Sequence, residues 1–225
     1  MYPESLFAFL ASCCTNHDLA WDCATGNGQA ARSLIPHFAS VIATDASGEQ
    51  IASAGTHAGI EFRVAKAEAS ELTSASVDLV TVAQALHWFD IDAFFAEACR
   101  VLKPGGVLAI WCYEHCQVDP VIDGWIMKVF LEVEDYWPPE RDLVESRYAG
   151  IELPVAGISA KDFRMQVSWT AADMLDYMRT WSASQRYLDD KSVDPTAKYA
   201  DDLRAAWGKD RRTVVWPLTL RMGRR

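Results

Sequence analysis

The sequence predicts an α/β protein built on a doubly wound, mostly parallel sheet of seven strands. Three observations carry that reading. From Ala20 to Tyr113 short apolar runs alternate with stretches of helical periodicity. Most of those runs are β-branched or aromatic-rich and lack a polar alternation, as strands covered on both faces do. A glycine-rich turn, Gly26-Asn27-Gly28, separates the first run from the first helical stretch, and strands that alternate with helices pair in parallel through crossover units.

The elements follow in order. Strands are expected at Leu19–Cys23, Val41–Thr44, Glu61–Val64, Val77–Val82 and Val107–Tyr113. Helices are expected between them at Gln29–Phe38, Gly48–Thr56 and Ile91–Leu102. The last of these places Phe94, Phe95, Ala98, Val101 and Leu102 at helical spacing. Asp90 or Asp92 caps its start, and Lys103-Pro104-Gly105-Gly106 ends it. Beyond Tyr113 the rhythm changes to a helix at Asp119–Glu134, a strand at Phe163–Trp169, helices at Ala171–Arg179 and Pro195–Trp207, and a last strand at Thr213–Arg221. Pro217 marks that strand as an edge or a bulge.

The chain has 225 residues, which fits one domain of ordinary size. We expect a single domain over 1–225, with a cofactor-binding half at 1–113 and a half at 114–225 that carries the substrate pocket. Eight of the nine tryptophans lie at or after Trp88, so the later half has the material for an aromatic pocket or an aromatic core. Half the residues are hydrophobic and 11% are aromatic, which excludes a disordered chain. The net charge is −10, with basic residues scattered until Arg211. That balance argues against nucleic acid and anionic membrane as partners, since both need clustered positive charge. No run approaches the roughly 20 apolar residues that span a bilayer, and Met1-Tyr2-Pro3-Glu4 is no signal-peptide start. A cytoplasmic protein is expected, monomer or homodimer. The six cysteines then read as reduced and largely buried. Cys112-Tyr113-Glu114-His115-Cys116 is a single cluster with no matching pair, so no metal is expected.

The chemistry sits in Trp21-Asp22-Cys23-Ala24-Thr25-Gly26-Asn27-Gly28-Gln29-Ala30-Ala31. A glycine turn between strand and helix lets a ligand approach the backbone closely. Asp45, at the end of the second strand, stands where a ribose-binding acid belongs. A dinucleotide and another adenosine-bearing cofactor both fit so far. Asp22 separates them: a carboxylate there opposes a pyrophosphate but suits an ammonium group. S-adenosylmethionine (SAM) carries adenosine, a ribose diol, a sulfonium and an amino-acid tail, and has no phosphate. The plainer alternative is that Asp22 only caps the turn.

At these residues the sequence resembles a known family. Asp22-x-Ala24-Thr25-Gly26-x-Gly28 looks like the first motif of class I SAM-dependent methyltransferases. Val77-Asp78 through His87-Trp88-Phe89 looks like their strand-four motif, and Glu97-Ala98-Cys99-Arg100-Val101-Leu102-Lys103-Pro104-Gly105-Gly106 like the helix and turn before strand five. Together these resemble the type 11 branch and, within it, proteins similar to trans-aconitate methyltransferase. The resemblance implies a Rossmann-like sheet whose last strand runs antiparallel between its neighbours. It implies SAM as cofactor, S-adenosylhomocysteine (SAH) as product and a small-molecule methyl acceptor.

It also implies roles for residues. Ala24, Thr25, Gly26 and Gly28 would pack under the methionine part and ribose, and Asp22 would help hold the ammonium. Asp45 would accept from both ribose hydroxyls, and Ala46 would touch the adenine. Ala67 and Glu68 match the loop at the adenine edge, and Ala83 and Gln84 the position beside the sulfonium. Lys66 stands where many relatives carry an aspartate for the adenine amino group. Relatives also carry a covering segment before Tyr2-Pro3, so we expect the start to be truncated or the site to be covered by Asp119–Tyr148 or a partner subunit.

His87 is the candidate general base, against a packing role after strand four. A carboxylate acceptor would need no base. Trp88, Trp111, Tyr113, Arg147, Arg186 and Tyr187 are the expected pocket residues, the arginines because guanidinium pairs with carboxylate in a fork. Arg179 is a further arginine of this kind. A SAM- or nucleotide-binding protein without transferase activity is the alternative. An NAD-dependent oxidoreductase is a more distant one, against which Asp22 counts.

Overall fold

The computed structural model describes residues 1–225. The element order is α1 (Glu4–Ser12), β1 (Leu19–Cys23), α2 (Gln29–Leu34), β2 (Ser40–Asp45), α3 (Gly48–Ala54), β3 (Ile60–Val64), β4 (Val77–Ala83), α4 (Ile91–Val101), β5 (Leu102–Cys112), α5 (Pro120–Glu132), α6 (Arg141–Glu145), β6 (Ala156–Gly157), β7 (Phe163–Trp169), α7 (Ala171–Arg179), α8 (Ser182–Lys191), α9 (Ala200–Trp207) and β8 (Arg212–Arg224). The sheet has eight strands in the order β3-β2-β1-β4-β5-β8-β6, with β7 also paired to β8. The first five strands pair in parallel, and β8 is antiparallel to β5 and β6. The expected seven strands become eight because β6 has only two residues, both exposed.

The doubly wound reading holds for β1, β2 and β4. Nearly every residue in these strands is buried, which is why they lack alternation. The edge strand β3 is half exposed, with Val64 on the surface. Asp90 caps α4 by accepting from Ala93 N, and α4 stops at Val101. The turn expected after it is drawn into β5 instead: Val77 pairs with Leu102, and the register shifts before Leu79. Gly106 is needed there, because a Cβ would lie 3.0 Å from Lys103 O and 3.1 Å from Val77 O.

Three helices were not anticipated, α1, α8 and the five-residue α6. The helix α1 buries Leu6, Phe7, Leu10 and Ala11, a periodicity short enough to pass unnoticed. The helix α8 is almost wholly polar and buries only Ala183 and Ser184. The expected helix from Pro195 starts later, at Ala200. Asp194 accepts from Thr196 N at 2.8 Å and from Thr196 Oγ1 at 2.7 Å, a local turn that competes with helix.

The chain forms two compact units. The first comprises 1–113, 143–164 and 218–225; the second comprises 114–142 and 165–217. One break falls after Tyr113, and the chain returns to the first unit twice. In that unit Trp21, Val80, Phe94, Leu108 and Ile110 form the buried core, and Trp21 Nε1 donates to Thr44 Oγ1 at 2.9 Å. Buried Asp78 pins the opposite end of β1 by accepting from Asp18 N, Leu19 N and Lys103 Nζ. The second unit is centred on rings: Phe130, Trp137, Trp181, Tyr177, Trp169 and Trp216 contact one another in series. In the same unit the Glu132 carboxylate accepts from Tyr187, Tyr199 and Lys198. No helix is long and apolar enough to cross a membrane.

Candidate functional site

The candidate site lies in the first unit, at the carboxyl ends of β1, β2 and β4, where open α/β sheets form their crevice. Asp22 is buried near the end of β1. Its Oδ2 accepts from Thr25 Oγ1 at 2.6 Å and its Oδ1 from Thr81 Oγ1 at 2.8 Å. Burial pushes its pKa up to about 6, against those hydrogen bonds. A carboxyl raised in this way favours the folded state most when protonated. Asp22 therefore costs stability as pH rises from its ordinary value of 3.8 through about 6.

The turn after β1 is built from left-handed residues. Ala24, Gly26 and Gly28 have φ of 54°, 56° and 84°. Gly26 N donates to Asp45 Oδ2 at 2.9 Å, and Ser47 N donates to Asp45 Oδ1 at 2.9 Å. Each Asp45 oxygen thus has one donor and capacity for a second, which suits a vicinal diol. A Cβ on Gly26 would meet only Gln50 Oε1, at 3.8 Å, so the turn has open space beside it. At Gly28 a Cβ would lie 2.9 Å from the Phe62 ring. These features fit a nucleoside with an amino-acid tail: an acid for the ribose, a glycine cradle, and a carboxylate toward the ammonium.

The other expected residues fall as follows. Ala46 is exposed, Ala67 is buried in the core, and Glu68 is half-buried with Oε1 accepting from Asp90 N at 3.0 Å. Ala83 ends β4. Gln84 has φ of 57°, and its amide is used on the Tyr113 backbone: Nε2 donates to Tyr113 O at 3.0 Å and Oε1 accepts from Tyr113 N at 2.8 Å. It thereby ties β4 to the end of β5. His87 lies in a 3-10 turn over Leu86–Trp88, with Nδ1 3.0 Å from Tyr148 Oη.

The expected pocket set divides. Trp88 is exposed, Tyr113 half-buried and Arg147 exposed, all in the first unit. Trp111, expected in a pocket wall, is instead fully buried, with Tyr2 and Phe7 edge-on against it at 5.4 and 6.1 Å. Arg186 and Tyr187 belong to the second unit, where Arg186 donates to Tyr136 O and Tyr187 to Glu132. Arg179 is also there, paired with Asp176 and Asp194. Cys112 and Cys116 are buried and form no disulfide, and burial pushes the Cys116 thiol up to about 12.

Sequence reasoning missed Thr81, Tyr2 and Tyr148. Thr81 alternates within an apolar strand and looks like any buried threonine. Tyr2 and Tyr148 flank the motifs at distances no spacing rule connects. Burial raises both phenols, and Tyr2 also feels Tyr113, Asp22 and Tyr148.

Two expected outcomes arise here. Affinity for SAH should fall as pH drops through about 6, because a bound ammonium favours ionised Asp22. It should be greatest between about 6 and the α-amino pKa of about 7.7–8.0. Asp22→Asn should flatten the acid limb, and calorimetry finding equal affinity at both ends of that acid limb in the native protein would refute the contact. Gly28→Ala should destabilise the fold by about 1–2 kcal/mol for the left-handed backbone alone, with the Phe62 clash added. An unchanged thermal midpoint would mean the turn adapts freely.

Comparison with known proteins agrees with this geometry. A family profile described as a methyltransferase domain matches residues 21–110. A Dictyostelium discoideum protein assigned as a methyltransferase is 32% identical over 92% of this chain and 80% of its own length. A methyltransferase of Pestalotiopsis fici is 31% identical over 85% of this chain and 53% of its own. A solved structure from Anaeromyxobacter dehalogenans, assigned as a type II methyltransferase, superposes with a TM-score of 0.93 at 38% identity, covering 99% of this chain and 96% of that one. The chain belongs to the class I SAM-dependent methyltransferases.

Proposed function

We propose that the protein methylates a small molecule, with carboxylic acids the first acceptor class. The observation that carries this is the segment after β4. It reads Ala83-Gln84-Ala85-Leu86 where base-methylating enzymes carry a polar Asn/Asp-Pro-Pro-aromatic motif, and the Gln84 amide is occupied on both atoms by Tyr113. The net charge of −10 supports the same reading against nucleic acid. The resemblance to trans-aconitate methyltransferase-like proteins motivates the acid.

SAM, when bound, offers a methyl group on a sulfonium. A carboxylate oxygen would take it in line, its lone pair forming the new C–O bond as the C–S pair returns to sulfur, and no proton moves. The residues of the chain act by placement, and alignment can supply roughly 7–11 kcal/mol of such a barrier. Asp45 and the glycine turn hold the nucleoside, and Asp22 the amino-acid tail.

The test is transfer of label from methyl-labelled SAM to a panel of small carboxylic acids and, in parallel, to oligonucleotides. Base-labile label in an acid is the expected result. Label in nucleic acid would overturn the reading. Tight SAH binding with no transfer to any acceptor would favour a SAM-binding protein without transferase activity.

A further inference from the structure

We infer that Thr81 is a positioning residue: its hydroxyl, with that of Thr25, fixes the Asp22 carboxylate as an acceptor for the ammonium of the cofactor. The inference rests on the proposed role of Asp22 toward the amino-acid tail.

The strand register sets the contact. On β1, Asp22 stands beside Thr81 of β4 on one side and Ala43 of β2 on the other. Ala43 has no side-chain donor, so of these two neighbours only Thr81 can supply one. Thr81 is fully buried and Asp22 is 1% exposed, so the carboxylate depends on donors from the protein. Thr81 Oγ1 lies 2.8 Å from Asp22 Oδ1, and Thr25 Oγ1 lies 2.6 Å from Oδ2. The other acceptor near Thr81 Oγ1 is Trp21 O, at 3.4 Å, so its one proton goes to the nearer, charged oxygen. An ionised carboxylate only accepts, with two lone pairs on each oxygen. One hydroxyl on each oxygen leaves each with capacity for an ammonium N–H.

Threonine suits this task. Its branched side chain is stiff at χ1 in a strand, so the hydroxyl is held in place before the ligand arrives. The titratable groups that face Asp22 are Asp45 at the end of β2, the Cys23 thiol and the Tyr2 phenol. None is a cation, so the ionised form is held by hydrogen bonds and not by an opposite charge. Thr81 also stands two residues before Ala83, which ends β4, and side chains two apart share a face of a strand. Ala83 is the position expected beside the sulfonium. The strand that would flank the methyl group therefore also fixes the anchor of the tail, and a slack Asp22 would loosen the alignment on which transfer depends.

The experiment is calorimetry of SAH binding from about pH 5 to about pH 8 with the native protein, Thr81→Val and Thr81→Ser. A second probe, 5′-methylthioadenosine, keeps the adenosine and lacks the amino-acid tail. In Thr81→Val the acid limb of SAH affinity should move up by about one pH unit, with binding several-fold weaker near neutral pH. Thr81→Ser keeps the hydroxyl and should keep the native limb. Affinity for 5′-methylthioadenosine should be the same in every variant. An acid limb that stays in place in Thr81→Val would overturn the inference, as would an equal loss of affinity for both probes, the mark of a general disturbance of the sheet. A native protein with no acid limb would remove the Asp22 contact itself, a failure distinct from loss of the Thr81 effect alone. If Thr81→Val does not fold, Thr81→Ala is read in the same way, and failure of both to fold would make the hydroxyl a requirement of the fold and overturn the positioning role.

Discussion

Asp45→Ala should weaken SAH binding by at least about 100-fold, about 2.7 kcal/mol, measured by calorimetry. The reason is the number of donors that share one carboxylate. Hydrogen bonds to charged groups contribute about 1.5–3 kcal/mol each, and the ribose diol would make two. The same carboxylate accepts from Gly26 N and Ser47 N, so its loss also releases the turn that would cradle the ligand. A folded Asp45→Ala protein that binds SAH with native affinity would remove the ribose from this position.

The second large effect concerns stability. Glu97 lies on α4, with its side chain 9% exposed. It accepts from Ser70 N at 2.9 Å, from Ser70 Oγ at 2.5 Å and from the Arg100 guanidinium at 2.7 Å. Arg100 in turn donates to Leu72 O and Ser74 Oγ. This hub fastens the loop after β3, which carries Ala67 and Glu68. Arg100 and then the Ser70 hydrogen bonds hold the Glu97 carboxyl down at about 2, against an ordinary value of 4.5.

Glu97→Ala should cost about 2–3 kcal/mol, less than a fully buried pair because Arg100 is 39% exposed and partly screened. For a chain of this size that is a drop of roughly 4–12 °C in thermal midpoint. The native contribution is fully present above about pH 4.5 and is lost as pH falls toward about 2. A midpoint within 1 °C of native, flagged against the roughly 2–4 °C expected per kcal/mol, would show that the hub contributes nothing net.

Much of this was legible in the sequence, for physical reasons. Buried parallel strands announce themselves as unbroken apolar runs, and β1, β2 and β4 did so. Asp22, Gly26, Gly28 and Asp45 are legible because their spacing is local: each sits at a strand end or in the turn that follows. What failed to show depended on partners distant in the chain. Trp111 looked like a pocket ring, but its neighbours Tyr2 and Phe7 lie more than a hundred residues away in sequence. Gln84 looked like a cofactor contact until its amide met the Tyr113 backbone. Arg186 and Tyr187 had the right chemistry for an acidic ligand, yet the fold gives them Tyr136 O and Glu132 in the second unit. Tyr148 carries no motif at all; only a segment returning to the first unit brings it to His87.

The most direct test of the central claim is a crystal structure of the protein with SAH. The ribose hydroxyls should lie within hydrogen-bond distance of both Asp45 carboxylate oxygens, the nucleoside against Gly26 and Gly28, and the amino-acid end toward Asp22. SAH bound away from the turn between β1 and α2, or absent at concentrations that saturate related methyltransferases, would contradict it.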